Sequence, residues 1–173
     1  MARFIGPEAL VLHATPHGVF SWDFTVSRDG VAIAEIDMAW FRERADVKIG
    51  EQTFSLYRQS AAKGTFALQS GDSVLAQAQK LSVFRRAFRI DTEGRKLTLK
   101  ATSAWRRQFE VSENEALIGR IGPTGWSGRT SVIDLGTDLP VPVQVFLFWL
   151  VVVLWRRADE AVATTAAAVA GIS

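Results

Sequence analysis

Few side chains in this 173-residue chain are able to do chemistry, and their spacing argues against catalysis. There is no cysteine, which removes thiol nucleophiles, disulfides, zinc–thiolate sites and iron–sulfur clusters. The only two histidines, His13 and His17, are four apart, a spacing that joins two imidazoles on one metal when it falls on a helix. Here Pro16 intervenes and the stretch reads as strand and turn, with only Glu8 and Asp23 flanking it, so no metal and no cofactor is expected. Glu113 with Glu115, and Asp134 with Asp138, are the carboxylate pairs. Acid–base work needs two carboxyls at a set separation in a cleft, and nothing in the spacing places them so. Asp138 before Leu139 and Pro140 reads instead as the start of a helix, near its positive end. The glycines Gly119, Gly122, Gly125 and Gly128 do not make a phosphate loop, because no Gly-Lys-Ser/Thr follows. Nor do they make a nucleophile elbow, because Ser127 is followed directly by Gly128. The run reads as a hairpin connection with glycine serving turns. No catalytic residue is assigned, and the chain reads as a non-enzyme.

Arginine carries the remaining chemistry. Of 20 basic residues 15 are Arg, the side chain suited to planar anion recognition. The net charge is only +2, but residues 80–129 hold 11 basic and 5 acidic side chains while both flanks are slightly acidic. The candidate ligand-binding residues are Arg85, Arg86, Arg89, Arg95, Lys96, Lys100, Arg106 and Arg107. Arg-Arg pairs in hairpin turns beside Phe84, Phe88 and Trp105 suit a phosphate clamp whose aromatics touch an interface. The plain reading is a set of hairpins solvated by charge. The excess is modest for nucleic acid and no recognition motif accompanies it, so no nucleic acid partner is expected.

The elements that position these residues come from a repeat. Phe24, Phe66 and Phe109 lead three passages 42 and 43 residues apart, and Ile49, Ile90 and Ile133 close them at intervals of 41 and 43. Upstream, the segments starting at Leu10, Phe54 and Leu97 keep the register at 44 and 43. Apolar–polar alternation from Phe20 to Val26, and again from Phe54 and from Leu97, has strand period. Asp29-Gly30, Gly71-Asp72 and Glu93-Gly94 supply turns. Each unit therefore reads as four short strands, and the second strand of each is lined with small residues that leave room for something bulky. Propellers need more blades than three, so the expectation is a closed antiparallel barrel of about twelve strands, wide enough to leave a lumen.

A filler for that lumen is present. Val143 to Trp155 is thirteen residues with only Gln144 polar, a helix of ~20 Å, short for a bilayer core of ~30 Å. Pro140 and Pro142 fit a helix entry, and Arg156, Arg157, Asp159 and Glu160 end the run. A helix apolar all round is a buried one. The alternative is a membrane anchor. Ala161 to Ser173 either extends the helix or frays. At the other terminus Pro7 and Pro16 break the apolar patch, so no secretory signal is read there.

The repeated aromatic–Arg hairpins, Val83 to Ile90 and Ala104 to Val111, together with Leu139 to Arg157, resemble the tubby C-terminal-like superfamily. That superfamily also takes in LURP-one-related proteins and phospholipid scramblases, and the resemblance covers about Leu10 to Arg157. It implies a twelve-stranded barrel around a hydrophobic C-terminal helix, and the binding of anionic phospholipid or phosphorylated headgroups through basic residues. The long acidic loop of a scramblase calcium segment is not matched here. The expectations are one domain, with barrel 10–135, central helix about 141–157 and an Ala-rich tail 161–173. Its function is a non-enzymatic lipid or phosphate-ligand module in the cytoplasm, peripheral to a membrane. The alternatives are a protein-interaction scaffold with an unidentified partner and a protein anchored by its apolar helix.

Overall fold

Two-residue turns with positive φ organise the chain. Asp29 and Gly30 (φ 50° and 77°), Glu93 and Gly94 (47° and 78°), and Asn114 and Glu115 (48° and 69°) have left-handed geometry at both central positions. Gly50 and Gly71 (58° and 54°) supply it at the first position of two further turns. Such turns match the right-handed twist of the strands they join. The computed structural model describes residues 11–39, 42–81, 86–103, 107–125, 129–136 and 138–170.

The strands are β1 (Leu12–Pro16), β2 (Phe24–Arg28), β3 (Val31–Met38), β4 (Arg44–Ile49), β5 (Gln52–Ser60), β6 (Thr65–Ser70), β7 (Ser73–Lys80), β8 (Ala87–Thr92), β9 (Arg95–Ala101), β10 (Phe109–Glu113), β11 (Ala116–Pro123) and β12 (Ser131–Asp134). Each pairs antiparallel with its neighbours in sequence, and β1 closes the barrel on β12 with Leu12 opposite Ile133. Closure leaves no sheet edge. The threefold repeat of the sequence is a repeat of structure and includes one bulge per unit, although a further bulge between Arg58 and Ser60 has no counterpart in β1–β2 or β9–β10. A bulge breaks the pairing after Val26, Leu68 and Val111, at equivalent points of the three units. The residue skipped in each case is Ile33, Leu75 or Ile118, and all three pack, partly buried, against the core.

One helix occurs among the described residues, α1 (Val141–Ala170), and it runs through the barrel. All of Val143 to Trp155 is buried, including Gln144. Inward side chains of the strands close on it: Phe24 meets Phe148 edge-on at 5.1 Å, and Phe66 meets Trp149 at 5.8 Å. Space for these rings comes from β3 and β7, the third strands of the first two units, which turn Ala34, Ala76 and Ala78 inward. Gln144, the polar exception, is explained by the entry of the chain: its Nε2 donates to the Leu139 carbonyl at 2.7 Å. That carbonyl lies outside the helix and would otherwise be buried unpaired. The helix starts where Pro140 accepts from the backbone of Val143 and Gln144, at 2.9 and 3.1 Å.

Of the two alternatives for the alanine-rich stretch, the structure shows the extension: the helix continues past Arg157 to Ala170, exposed from Ala161 to Val169. Ala is the strongest helix former, and a helix already nucleated in the barrel needs no new nucleus to go on. The hairpin reading of the glycine run is corrected: Gly119 and Gly122 are not turn residues, since both lie inside β11. A Cβ on Gly119 would stand 2.0 Å from the Asp134 carbonyl oxygen and 2.8 Å from the Leu135 Cα. The chain leaving β12 crosses Gly119 as it turns into the lumen, with Gly136 at φ 74° making the bend. Ala34 and Ala76 occupy the equivalent places in the other units, where nothing crosses. Gly119→Ala is expected to destabilise the fold by about 3 kcal/mol, the upper end for overpacking. Gly125→Ala, with nothing within 4 Å, should lie within about 0.5 kcal/mol of wild type in urea melts.

Candidate functional site

The up-and-down path sorts the connections onto two ends. The two-residue turns 29–30, 50–51, 71–72, 93–94 and 114–115, with the helix entry described at 135–136 and 138–140, form one end. The longer connections, described at 17–23, 39, 42–43, 61–64, 81, 86, 102–103, 107–108, 124–125 and 129–130, lie at the other, where α1 emerges. Each short turn carries one acidic residue, Asp29, Glu51, Asp72, Glu93 or Glu115, and the helix entry adds Asp138. None of these six segments contains Lys or Arg. Among the described residues the longer connections hold Arg42, Lys63, Arg86, Arg107 and Arg129, and α1 adds Arg156 and Arg157 as it leaves. The acidic side chains there are Asp23, Glu43, Asp159 and Glu160. The connections of the two ends therefore differ in sign, while Arg28, Arg95 and Lys96 adjoin the acidic turns from the strand ends.

Three clusters build the basic rim. In the first, Glu43 takes Arg157 in a bidentate pair at 2.5 and 2.9 Å and Arg58 at 3.0 Å. Both guanidiniums lie over the Phe66 ring, at 5.6 and 5.9 Å. One carboxylate thus serves two arginines with Lys80 nearby, and the lysine pKa is pushed down by its burial and then by Arg157 and Arg58. In the second, Arg107 holds Asp159 at 2.7 and 2.8 Å and lies 5.6 Å above Trp155. Arg86 sits 5.3 Å over Phe109, its pKa lowered by burial and by Arg107. In the third, Arg129 and Arg156 share the Trp22 ring at 4.9 and 5.9 Å. A cleft of about 330 Å³ opens there between Trp22, Arg156, Asp159, Glu160 and Ala163.

The eight sequence candidates do not form one site. Arg86 and Arg107 belong to the rim, while Arg85 and Arg106 lie outside the described residues. Arg89 and Lys100 are exposed on the outer wall of β8 and β9. Arg95 and Lys96 are at the opposite, acidic end. There Arg95 makes a bidentate pair with Glu113 at 2.8 and 2.7 Å and reaches the Asp138 carbonyl at 3.3 Å. It ties the helix entry to β10. Asp138 consequently faces Arg95 across 3.6 Å, outside the helix's first turn. The two histidines part as well: His13 is exposed on β1, and His17 bonds Thr25 and Glu35. No group of three metal-binding side chains occurs among the described residues.

Sequence reasoning passed over Trp22, Arg42, Glu43, Arg58, Arg129, Arg156 and Arg157. Arg129 was within the basic window, and Arg156-Arg157 marked the end of the apolar run. Their convergence depends on where the helix exits, which local patterning does not encode. No family model, curated protein or solved structure matches the chain.

Two measurements test the electrostatics. Arg95 holds the Glu113 pKa below its ordinary 4.5 by hydrogen bonding first and charge second. The stability this contributes is complete above 4.5 and is lost as pH falls through the folded-state value. Glu113→Gln should therefore flatten the fall in Tm below pH 4.5. Lys80 has the opposite sense: its charge is disfavoured in the fold, so stability rises as pH approaches 10.5. Lys80→Met is expected to raise Tm at pH 7, by differential scanning fluorimetry.

Proposed function

We propose that the chain is a non-enzymatic barrel module of the tubby-like kind that binds anionic phospholipid headgroups through its basic rim. The supporting observation is the segregation of charge: acidic side chains in all five short turns, and arginines in the connections around the emerging helix. A surface of one sign presented at one end of a rigid body orients that body in the field of an anionic membrane. Arginine suits the task, because its planar fork pairs two oxygens of a phosphate. The rim carboxylates Glu43 and Asp159 hold Arg157 and Arg107 in place, so the cations are fixed before a ligand arrives.

A non-enzymatic reading suits the carboxylates. Glu113 is neutralised by Arg95, and Glu115 stands exposed in a turn. A general acid or base needs a shifted pKa in a cleft with a partner in reach.

Vesicle flotation tests the proposal. Wild type should float with phosphatidylcholine vesicles containing phosphatidylserine, but not with phosphatidylcholine alone, and should be released by salt. At about 1 kcal/mol for each basic residue near an anionic surface, the quadruple reversal of Arg85, Arg86, Arg106 and Arg107 to Glu should weaken partitioning by at least 100-fold. Arg95→Ala, which alters the far end, should lower Tm and leave flotation unchanged. Equal recovery of wild type on neutral and anionic vesicles would overturn the proposal.

A further inference from the structure

The helix-exit end carries apolar surface beside its charge. Val19 and Phe20, in the connection 17–23, are 82% and 86% exposed. The segment bearing them is held firmly. Arg129 donates to the Gly18 carbonyl at 2.8 Å and to the Val19 carbonyl. The Asp23 carboxylate accepts the Met38 N–H at 2.8 Å, and the His17 N–H reaches the Asp23 carbonyl at 3.0 Å. A large ring fixed in water gains nothing from the rest of the chain.

The helix leaves through this same end, since Arg157 bonds Glu43 and Arg107 bonds Asp159 there. From Ala161 to Ala170 it has no charged residue, and Val162 and Val169 are 70% and 67% exposed. Its only polar side chains, Thr164 and Thr165, donate to the Glu160 and Ala161 carbonyls one turn back, each at 2.9 Å. Both hydroxyl donors are thereby satisfied without water, a condition for entering hydrocarbon. Ten residues rise ~15 Å, half of a ~30 Å hydrocarbon core. Arg156 and Arg157 lie about one turn before the uncharged stretch, followed by Asp159, which Arg107 pairs, and by Glu160.

We infer that this end seats on an anionic bilayer with Val19, Phe20 and residues 161–170 entering the acyl region of one leaflet. The inference rests on the lipid reading above and adds a mode of attachment to it. The charge selects the occupant: a second copy would bring one basic rim against another, whereas an anionic surface complements it.

The full chain has no cysteine, so single cysteines report without background. An environment-sensitive dye on Phe20→Cys or Ala167→Cys should shift to the blue and lose quenching by iodide when phosphatidylserine-containing vesicles are added. The same dye on Asp72→Cys, at the acidic end, should not change. Ala166→Glu, on the exposed helix, should keep the wild-type Tm and weaken partitioning by at least about tenfold, a lower bound because the cost of an acidic side chain is larger at the centre of the hydrocarbon. Flotation with the dyes on residues 20 and 167 still open to iodide would overturn insertion and leave headgroup binding intact. Absence of wild-type flotation would overturn both. Concentration-dependent self-quenching at residue 167 without vesicles would identify a second copy as the occupant and also overturn insertion.

Discussion

A twelve-stranded barrel is too wide for its own inward side chains to fill, and this protein is organised around the helix that fills it. Twelve short strands contribute one row each of Leu, Ile, Val, Phe and Ala, and α1 brings Phe146, Phe148, Trp149 and Trp155 into the space between. Each part buries the apolar surface of the other. The helix is apolar on every face and has no outward side inside the barrel, while the barrel without it would enclose an apolar void. The mutual need explains the details at the entry: Gly119 gives way to the crossing chain, Gly136 bends it, and Gln144 bonds the Leu139 carbonyl as the chain goes in.

The same constraint generates the polarity. A plug entering at one end must leave at the other, and an up-and-down barrel of even strand number puts its turns alternately on the two ends. Short turns with positive φ occupy the entry end, with an Asp or Glu in each. The exit end must accommodate an emerging helix, so its connections are longer and their arginines close around the helix through Glu43, Asp159 and the rings of Phe66, Trp22 and Trp155. The structural role of these cations is compatible with the proposed binding of anionic headgroups, because an ion pair at a surface leaves part of each guanidinium in solvent.

Much of the fold was legible because its signals are local and repeated. Period-two alternation marks strands wherever one face is buried, and three copies at intervals near 43 residues reinforced one another. The apolar run from Val143 to Trp155 was legible in composition, but its valines at 151–153 suit a strand equally well, so its helical state leaned on the family resemblance, and its continuation to Ala170 was an open alternative. The glycine run misled, because a glycine in sequence signals turn and close approach equally. Only the path of β12 into the lumen distinguishes them at Gly119.

The candidate site was legible in residue type and not in place. By itself the sequence determined a closed barrel of three four-stranded units, an apolar plug and an arginine-rich middle, since each follows from patterns within about forty residues. The tertiary structure alone decided that Arg95 and Arg107, twelve apart in the chain, face opposite ends. It also decided that Arg157 and Glu43, 114 apart, are bonded. The physical reason is parity: along an antiparallel barrel each hairpin reverses direction, so the end that a residue joins depends on its strand's place in the closed ring and on where the helix emerges.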